Sequence, residues 1–281
     1  MDIQNFLASA FPYAESSKRT YQDVITKTLQ NVPQLGLSTL DPSQLINLIK
    51  SIPTWGNNRQ CLALHACKKY LAWAYGANHP ALTAKIKRQV GKEQRAFDHQ
   101  TALQLLASFN PHEPKGARDL AMCALLLDTG LRASEICTLQ QAHTDTHNLS
   151  LQVITKGGQW EIAIFTPQTA LHIEHWKAYR KIKDGQGFLF HNIRTGKGLT
   201  PEGLYQIIKD WGKEINIVLG PHDFRRSMAG IATIMNNTPE RTLMDLGRWK
   251  STDMIKKYTR HLRLEQSRKH LVTDAIMKPK A

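Results

Sequence analysis

The side chains that could do chemistry gather in four short segments. Pro221-His222-Asp223-Phe224-Arg225-Arg226-Ser227 precedes Gly247-Arg248-Trp249-Lys250-Ser251-Thr252-Asp253-Met254-Ile255-Lys256-Lys257-Tyr258-Thr259-Arg260, which sets a tyrosine among basic residues. Upstream lie Asp128-Thr129-Gly130-Leu131-Arg132-Ala133-Ser134-Glu135 and Ile154-Thr155-Lys156-Gly157-Gly158. Tyrosine, arginine, histidine and lysine together are the parts of a metal-free phosphoryl transfer. A phenolate can attack phosphorus and hold it as a covalent phosphotyrosine. Guanidinium groups keep their charge and grip two phosphate oxygens as a fork, which suits a pentacoordinate phosphorus. Lysine or histidine, once desolvated, can hold a transferable proton for the leaving oxygen near neutral pH. Each well-aimed donor to the developing charge is worth roughly 3–4 kcal/mol.

The order and spacing of these groups resemble the tyrosine recombinase (phage integrase) family. By that resemblance Arg132 matches the first arginine, His222 and Arg225 the His-x-x-Arg pair, and Tyr258 the nucleophile. Lys156 matches the mobile hairpin lysine, the general acid for the 5′-hydroxyl. Trp249 stands nine residues before Tyr258, where members carry His or Trp, and its indole N–H can donate to a non-bridging phosphate oxygen. Glu135 matches a common acidic position that orients an arginine or histidine from behind. Tyr179 and Tyr205 lack this relation to a tryptophan.

The resemblance implies a site-specific DNA recombinase that works through a 3′-phosphotyrosine and a Holliday junction, with no cofactor and no metal. Its partners would be double-stranded DNA with an inverted-repeat core site, further copies of the chain in a homo-tetramer, and accessory DNA-bending proteins. A type IB topoisomerase or a hairpin telomere resolvase shares the catalytic set. A non-catalytic DNA-binding regulator could share the scaffold but would have no need of the tyrosine. Phe224 and Arg226 flank Arg225 where many members read His-x-Leu-Arg-His, and Gly247-Arg248-Trp249 replaces a frequent Leu-Gly-His. These departures point to a phage, plasmid, transposon or integrative element rather than a housekeeping resolvase of chromosome dimers. The absence of a further N-terminal domain argues against arm-site binding. A helix over about 264–276, with Leu264, Leu271, Val272, Ala275 and Ile276, would dock into a neighbouring subunit.

Positioning these groups falls to a mainly α chain. The expected organisation is a helical core-DNA-binding domain (1–90), a linker (91–97) and a larger α-rich catalytic domain with a small β-hairpin (98–281). In the first part, Ser16-Ser17 caps a helix over 16–32. A second helix starts near Pro42, and a third spans about Asn58–Tyr75 with Leu62, Leu64, Ala66, Leu71 and Trp73 buried. A short helix to about Gln89 follows the Asn78-His79-Pro80 break. In the second part helices are predicted at about 98–108, 115–128, 168–183, 201–215, 222–235, 239–246 and 251–259. Leu149, Leu151 and Val153 alternate with polar residues, as do Ile162 and Ile164; with Lys156-Gly157-Gly158-Gln159 between them, they predict a β-hairpin.

The formal charge of +14 points to a polyanionic partner, nucleic acid before acidic membrane. The excess is shared: 12 basic against 5 acidic residues before residue 97, and 25 against 18 after it. A basic tail would concentrate it, so both parts are expected to face a phosphate backbone; the resemblance to the recombinase family implies that the two domains clamp DNA as a C shape. No run approaches the roughly 18 apolar residues of a membrane span, and Met1-Asp2-Ile3-Gln4-Asn5-Phe6 lacks the start of a signal peptide, so a cytoplasmic protein is expected. Cys61, Cys67, Cys123 and Cys137 form no Cys-x-x-Cys pair and read as small buried thiols. His143 and His147 fall in a polar loop leading into a strand, and His172 and His175 on a helix that packs or meets solvent.

Overall fold

The computed structural model describes residues 2–9, 14–89, 95–155, 158–180, 187–253 and 255–256. Contacts divide the chain into two compact units, Met1–Lys92 and Glu93–Ala281.

The first unit is built from α1 (Ile3–Ser9), α2 (Glu15–Leu29), α3 (Gln34–Ser38), α4 (Pro42–Lys50) and α5 (Asn57–Tyr75). Its local signals are strong at α4. Asp41 accepts from the Ser43 and Gln44 N–H groups (2.7 and 2.9 Å), Gln44 accepts from the Asp41 N–H (3.0 Å), and Pro42 sits where no donor is needed. On α5, Ala63, Ala66, Cys67, Tyr70 and Leu71 recur at helical spacing and are buried with Val24, Ile25, Leu45 and Ile49. Trp73, expected inside, falls at the edge of that stripe and stays 41% exposed, its ring 5.7 Å from Phe6. The helix expected up to Gln89 is only a 3-10 turn, Pro80–Thr83. Beyond it two side chains of α5 hold the chain: Asn57 donates to the Lys87 carbonyl (3.0 Å) and accepts from the Gln89 N–H (2.7 Å), and Cys61 Sγ donates to the Ile86 carbonyl (3.9 Å).

The second unit opens with α6 (His99–Ala107), α7 (Pro114–Thr129) and α8 (Ala133–Thr138). Next come β1 (Thr144–Asp145), β2 (Ser150–Ile154) and β3 (Trp160–Ile164), then α9 (Pro167–Ala178), α10 (Pro201–Glu214), α11 (Pro221–Asn236) and α12 (Glu240–Gly247). Helix starts repeat one chemistry. Thr166 and Thr200 cap α9 and α10 by accepting from Thr169 and Gly203 N–H groups, each with proline next in line. Helix α7 is central, packing on α9 and α11, and buries Ala121, Met122, Cys123, Leu125 and Leu126. Several of the core's polar atoms are paired. Trp176 Nε1 donates to the Leu189 carbonyl and Trp211 Nε1 to Asp119, both at 2.9 Å, while Arg118 pairs with Asp119 at 2.6 Å. Phe97, expected in the linker, packs edge-on against Phe224, and its N–H reaches Ser227 Oγ at 2.7 Å.

The strands form one antiparallel sheet in the order β1-β2-β3. The hairpin is present, but its faces differ from a simple reading of the alternation. Leu151 pairs with Ala163 and Val153 with Glu161; Leu151, Val153 and Ala163 are the buried residues. Ile162 and Ile164 lie 66% and 57% exposed on the opposite face. Helix α7 approaches β3, where the small Ala163 points inward. Leu149 precedes β2 in a left-handed turn (φ 53°) instead of continuing the alternation.

Candidate active site

Three stretches distant in sequence converge around two glycine carbonyls. Helix α7 ends at Gly130, whose left-handed conformation (φ 55°, ψ 34°) turns the chain towards α8. A Cβ there would come within 2.7 Å of the Met228 terminal methyl, which a flexible side chain can move, so it is the positive φ that favours glycine at this turn. Arg132 immediately precedes α8. Its guanidinium is about one third exposed and pairs with Glu135, whose carboxylate is almost wholly buried, at 2.6 Å. The other Glu135 oxygen accepts the Arg132 backbone N–H at 2.9 Å. Burial alone would raise the Glu135 carboxyl, but those hydrogen bonds and the charges of Arg132 and Arg248 outweigh it and hold the pKa below its ordinary value.

Helix α11 supplies His222 and Arg225. Its start is set by Asp223, which accepts the Gly220 N–H at 2.8 Å and pairs with Arg226 at 3.1 Å. Arg225, only 3% exposed, donates to the Gly130 carbonyl (2.7 Å) and to the Gly247 carbonyl, and lies over the Trp249 ring at 4.8 Å. It therefore ties the turn before Arg132 to the end of α12. His222 is exposed at the start of α11. Partial desolvation, reinforced by the charges of Arg226, Arg225 and Arg132 and opposed by Asp223, lowers its pKa and so favours the neutral imidazole.

Trp249 is buried with Met228, Ala229, Leu243 and Ile255 in a small apolar cluster of its own. Gly247 makes room for it, since a Cβ at that position would run into the indole ring. Arg248, between them, caps α12 in the left-handed region (φ 51°, ψ 47°) with its side chain buried. In the sequence Arg248 is only a departure from a frequent Leu-Gly-His; a basic residue between Gly and Trp reads as an exposed charge, and no sequence signal marks the backbone sign.

The structure thus brings Arg132, Glu135, His222, Arg225 and Trp249 into one neighbourhood. Lys156 and Tyr258 lie outside the described residues, as does the predicted helix 264–276. The strands flanking residue 156 are described: β2 runs to Ile154, β3 begins at Trp160, and the Thr155 N–H reaches the Gln159 carbonyl at 2.8 Å. Ile255, three residues before Tyr258, is buried in the Trp249 cluster. The competing tyrosines serve elsewhere: Tyr179 donates to the Pro111 carbonyl at 3.3 Å, and Tyr205 is half exposed on α10. His143 packs its ring edge-on to Trp160, and His175 bonds the Pro111 carbonyl.

Comparison with known proteins places this arrangement. The chain is 24% identical over 221 residues to tyrosine recombinase XerC of Yersinia pestis, covering 75% of this chain and 73% of that one. A lambda integrase dimer bound to a COC′ core site has the same fold at a TM-score of 0.72 with 14% identity, over 91% of this chain and 92% of that one. The XerH site-specific recombinase, solved on a palindromic difH substrate after cleavage, aligns at 0.69 with 16% identity over 90% and 79% of the two chains. The model described as "Phage integrase family" matches residues 95–265, which takes in every segment of the site, and the chain belongs to that family as a tyrosine recombinase.

Proposed function

We propose that the chain recombines DNA at specific sites by breaking and rejoining strands through Tyr258. In this reading the Tyr258 oxygen attacks the scissile phosphorus and the 5′-oxygen leaves, taking a proton from Lys156. The 3′-phosphotyrosine keeps the bond energy, so a 5′-hydroxyl from another strand can reverse the step with no ATP and no metal. Arg132 and Arg225 stabilise the pentacoordinate phosphorus, with Trp249 and His222 as further hydrogen-bonding groups. The carrying observation is the bridge Gly130–Arg225–Gly247, which holds the first arginine, the His-x-x-Arg helix and the tryptophan in one frame.

The finer reading follows from the same chemistry. Two core sites with inverted-repeat arms are held by a tetramer, strands are exchanged in two rounds through a Holliday junction, and a helix over 264–276 links neighbouring subunits. A mobile element carries the gene, and accessory DNA-bending proteins shape the complex. Both halves of the chain are basic, as a protein tracking phosphates on two sides requires. The test is a nicked suicide duplex carrying the inverted repeat that the protein selects from a random pool. The wild-type chain should form a covalent adduct, and Tyr258→Phe should bind the duplex and form none. Adduct formation by Tyr258→Phe would sink the assignment. Relaxation of supercoiled plasmid lacking any selected site would replace it with a topoisomerase, and hairpin-ended products with a telomere resolvase.

A further inference from the structure

The residue between Gly247 and Trp249 carries two burdens that an ordinary surface arginine does not. Its backbone is left-handed, a conformation that glycine adopts without steric cost and that side chains with a Cβ rarely take. Its guanidinium is also withdrawn from water, with the side chain 4% exposed. Ending α12 explains neither burden, since glycine would end it equally well. What the side chain touches does. Arg248 Nη1 donates to the Thr129 carbonyl (3.3 Å) and the Leu246 carbonyl (3.2 Å). Its Nη2 reaches the same Glu135 oxygen that accepts the Arg132 N–H, at 3.4 Å, and its Nε faces Glu161 at 3.8 Å.

Resting on the recombinase reading above, we infer that Arg248 is a positioning residue: it braces the Glu135 carboxylate and the Thr129 turn from behind, and so aims Arg132 at the phosphate. Glu135 is then held between two cations instead of neutralising Arg132 alone. The four groups Arg132, Arg248, Glu135 and Glu161 sum to zero charge; without Arg248 they sum to −1, beside a place meant to receive an anion. Arg248 also duplicates the Arg225 bridge on a second level. Arg225 joins Gly130 to Gly247, and Arg248 joins Thr129 to Leu246. The turn bearing Arg132 and the segment bearing Trp249 are therefore pinned twice.

Arg248→Gly tests this, because it removes the guanidinium while relieving the backbone. On the selected suicide duplex, its single-turnover cleavage rate should fall roughly 10- to 100-fold, the cost of a small misplacement of a catalytic group. Its affinity for the duplex should stay within about threefold, since the Arg248 side chain is buried against Thr129, Leu246 and Glu135 and not presented at the surface. Arg248→Lys, which keeps the charge but not the fork, should recover part of the lost rate. Cleavage by Arg248→Gly at the wild-type rate would overturn the inference. So would binding and cleavage falling together with the melting temperature, with Arg248→Lys no better, because that marks a merely structural residue. A wild-type chain that binds but never cleaves instead strikes the recombinase reading, so the two failures are told apart.

Discussion

At the scale of single residues, the site depends on two contacts between a side chain and a neighbouring backbone. Gly247 lies against the Trp249 ring and offers its carbonyl to Arg225. Gly247→Ala should push the indole aside and disturb the arginine bridge, costing about 1–3 kcal/mol, the usual range for overpacking. Urea denaturation reads this directly, and an unchanged midpoint would show that the ring has room to move. Glu135 makes a pH prediction. Its folded pKa lies below the ordinary glutamate value, so the unfolded state binds the proton more readily. The ion cluster then contributes its full stability above the ordinary glutamate range and loses it as pH falls through the lower folded value. The stability gap between wild type and Glu135→Gln should therefore narrow as denaturation is repeated from pH 7 down to about pH 3. A gap that widens on acidification would contradict the buried carboxylate. That Arg132, His222, Arg225 and Trp249 come together was legible in the sequence through the family resemblance that their types and spacing carry. Arg248 was not, because the sign of φ and the burial of a guanidinium arise from packing that spacing does not encode.

At the scale of elements, the longer helices were legible, while the short α1, α3 and α8 and the sheet's orientation were not. Threonine or aspartate followed by proline names a helix start by local hydrogen bonding alone, and α4, α9 and α10 begin on that chemistry. Alternation in a strand identifies two faces without saying which one meets the core. Here the face with the larger side chains of β3 is open, because α7 comes close to β3 and the inward position holds only alanine. A paired experiment separates the faces. Ala163→Leu should destabilise the second unit by about 1–3 kcal/mol through overpacking. Ile162→Thr, on the open face, should change stability by about 0.5 kcal/mol or less. Equal effects on thermal melting would mean that the open face packs against something after all. The tail of the first unit failed for a different reason: the extended path through Lys87 and Gln89 is fixed by Asn57, some thirty residues away in sequence.

At the scale of the whole molecule, charge is the property that spans both units. If each unit tracks a phosphate backbone, affinity for a duplex is governed by counterion release, and the slope of log K against log salt counts the phosphates neutralised, at about −0.9 per contact. The first unit offers a place to look. Burial, with the nearby charge of Lys85, lowers the Lys68 pKa, and desolvation, with the charges of Lys69 and Lys68, lowers that of His65, so cations here sit close enough to repel one another. Such a cluster is costly in the free protein and favourable once an anion lies across it. Lys68→Gln with Lys85→Gln should weaken duplex binding similarly for selected and random sequences and flatten the salt slope by about one to two contacts. The cleavage rate of the bound complex should not move, since both lysines belong to the unit without the tyrosine. The decisive comparison is full-length wild type against the double variant, titrated with duplex between 50 and 200 mM salt. Parallel lines of unchanged slope would place the phosphate track on another face of the first unit. A flatter line with intact cleavage would assign the two basic halves distinct tasks, one gripping DNA and the other cutting it.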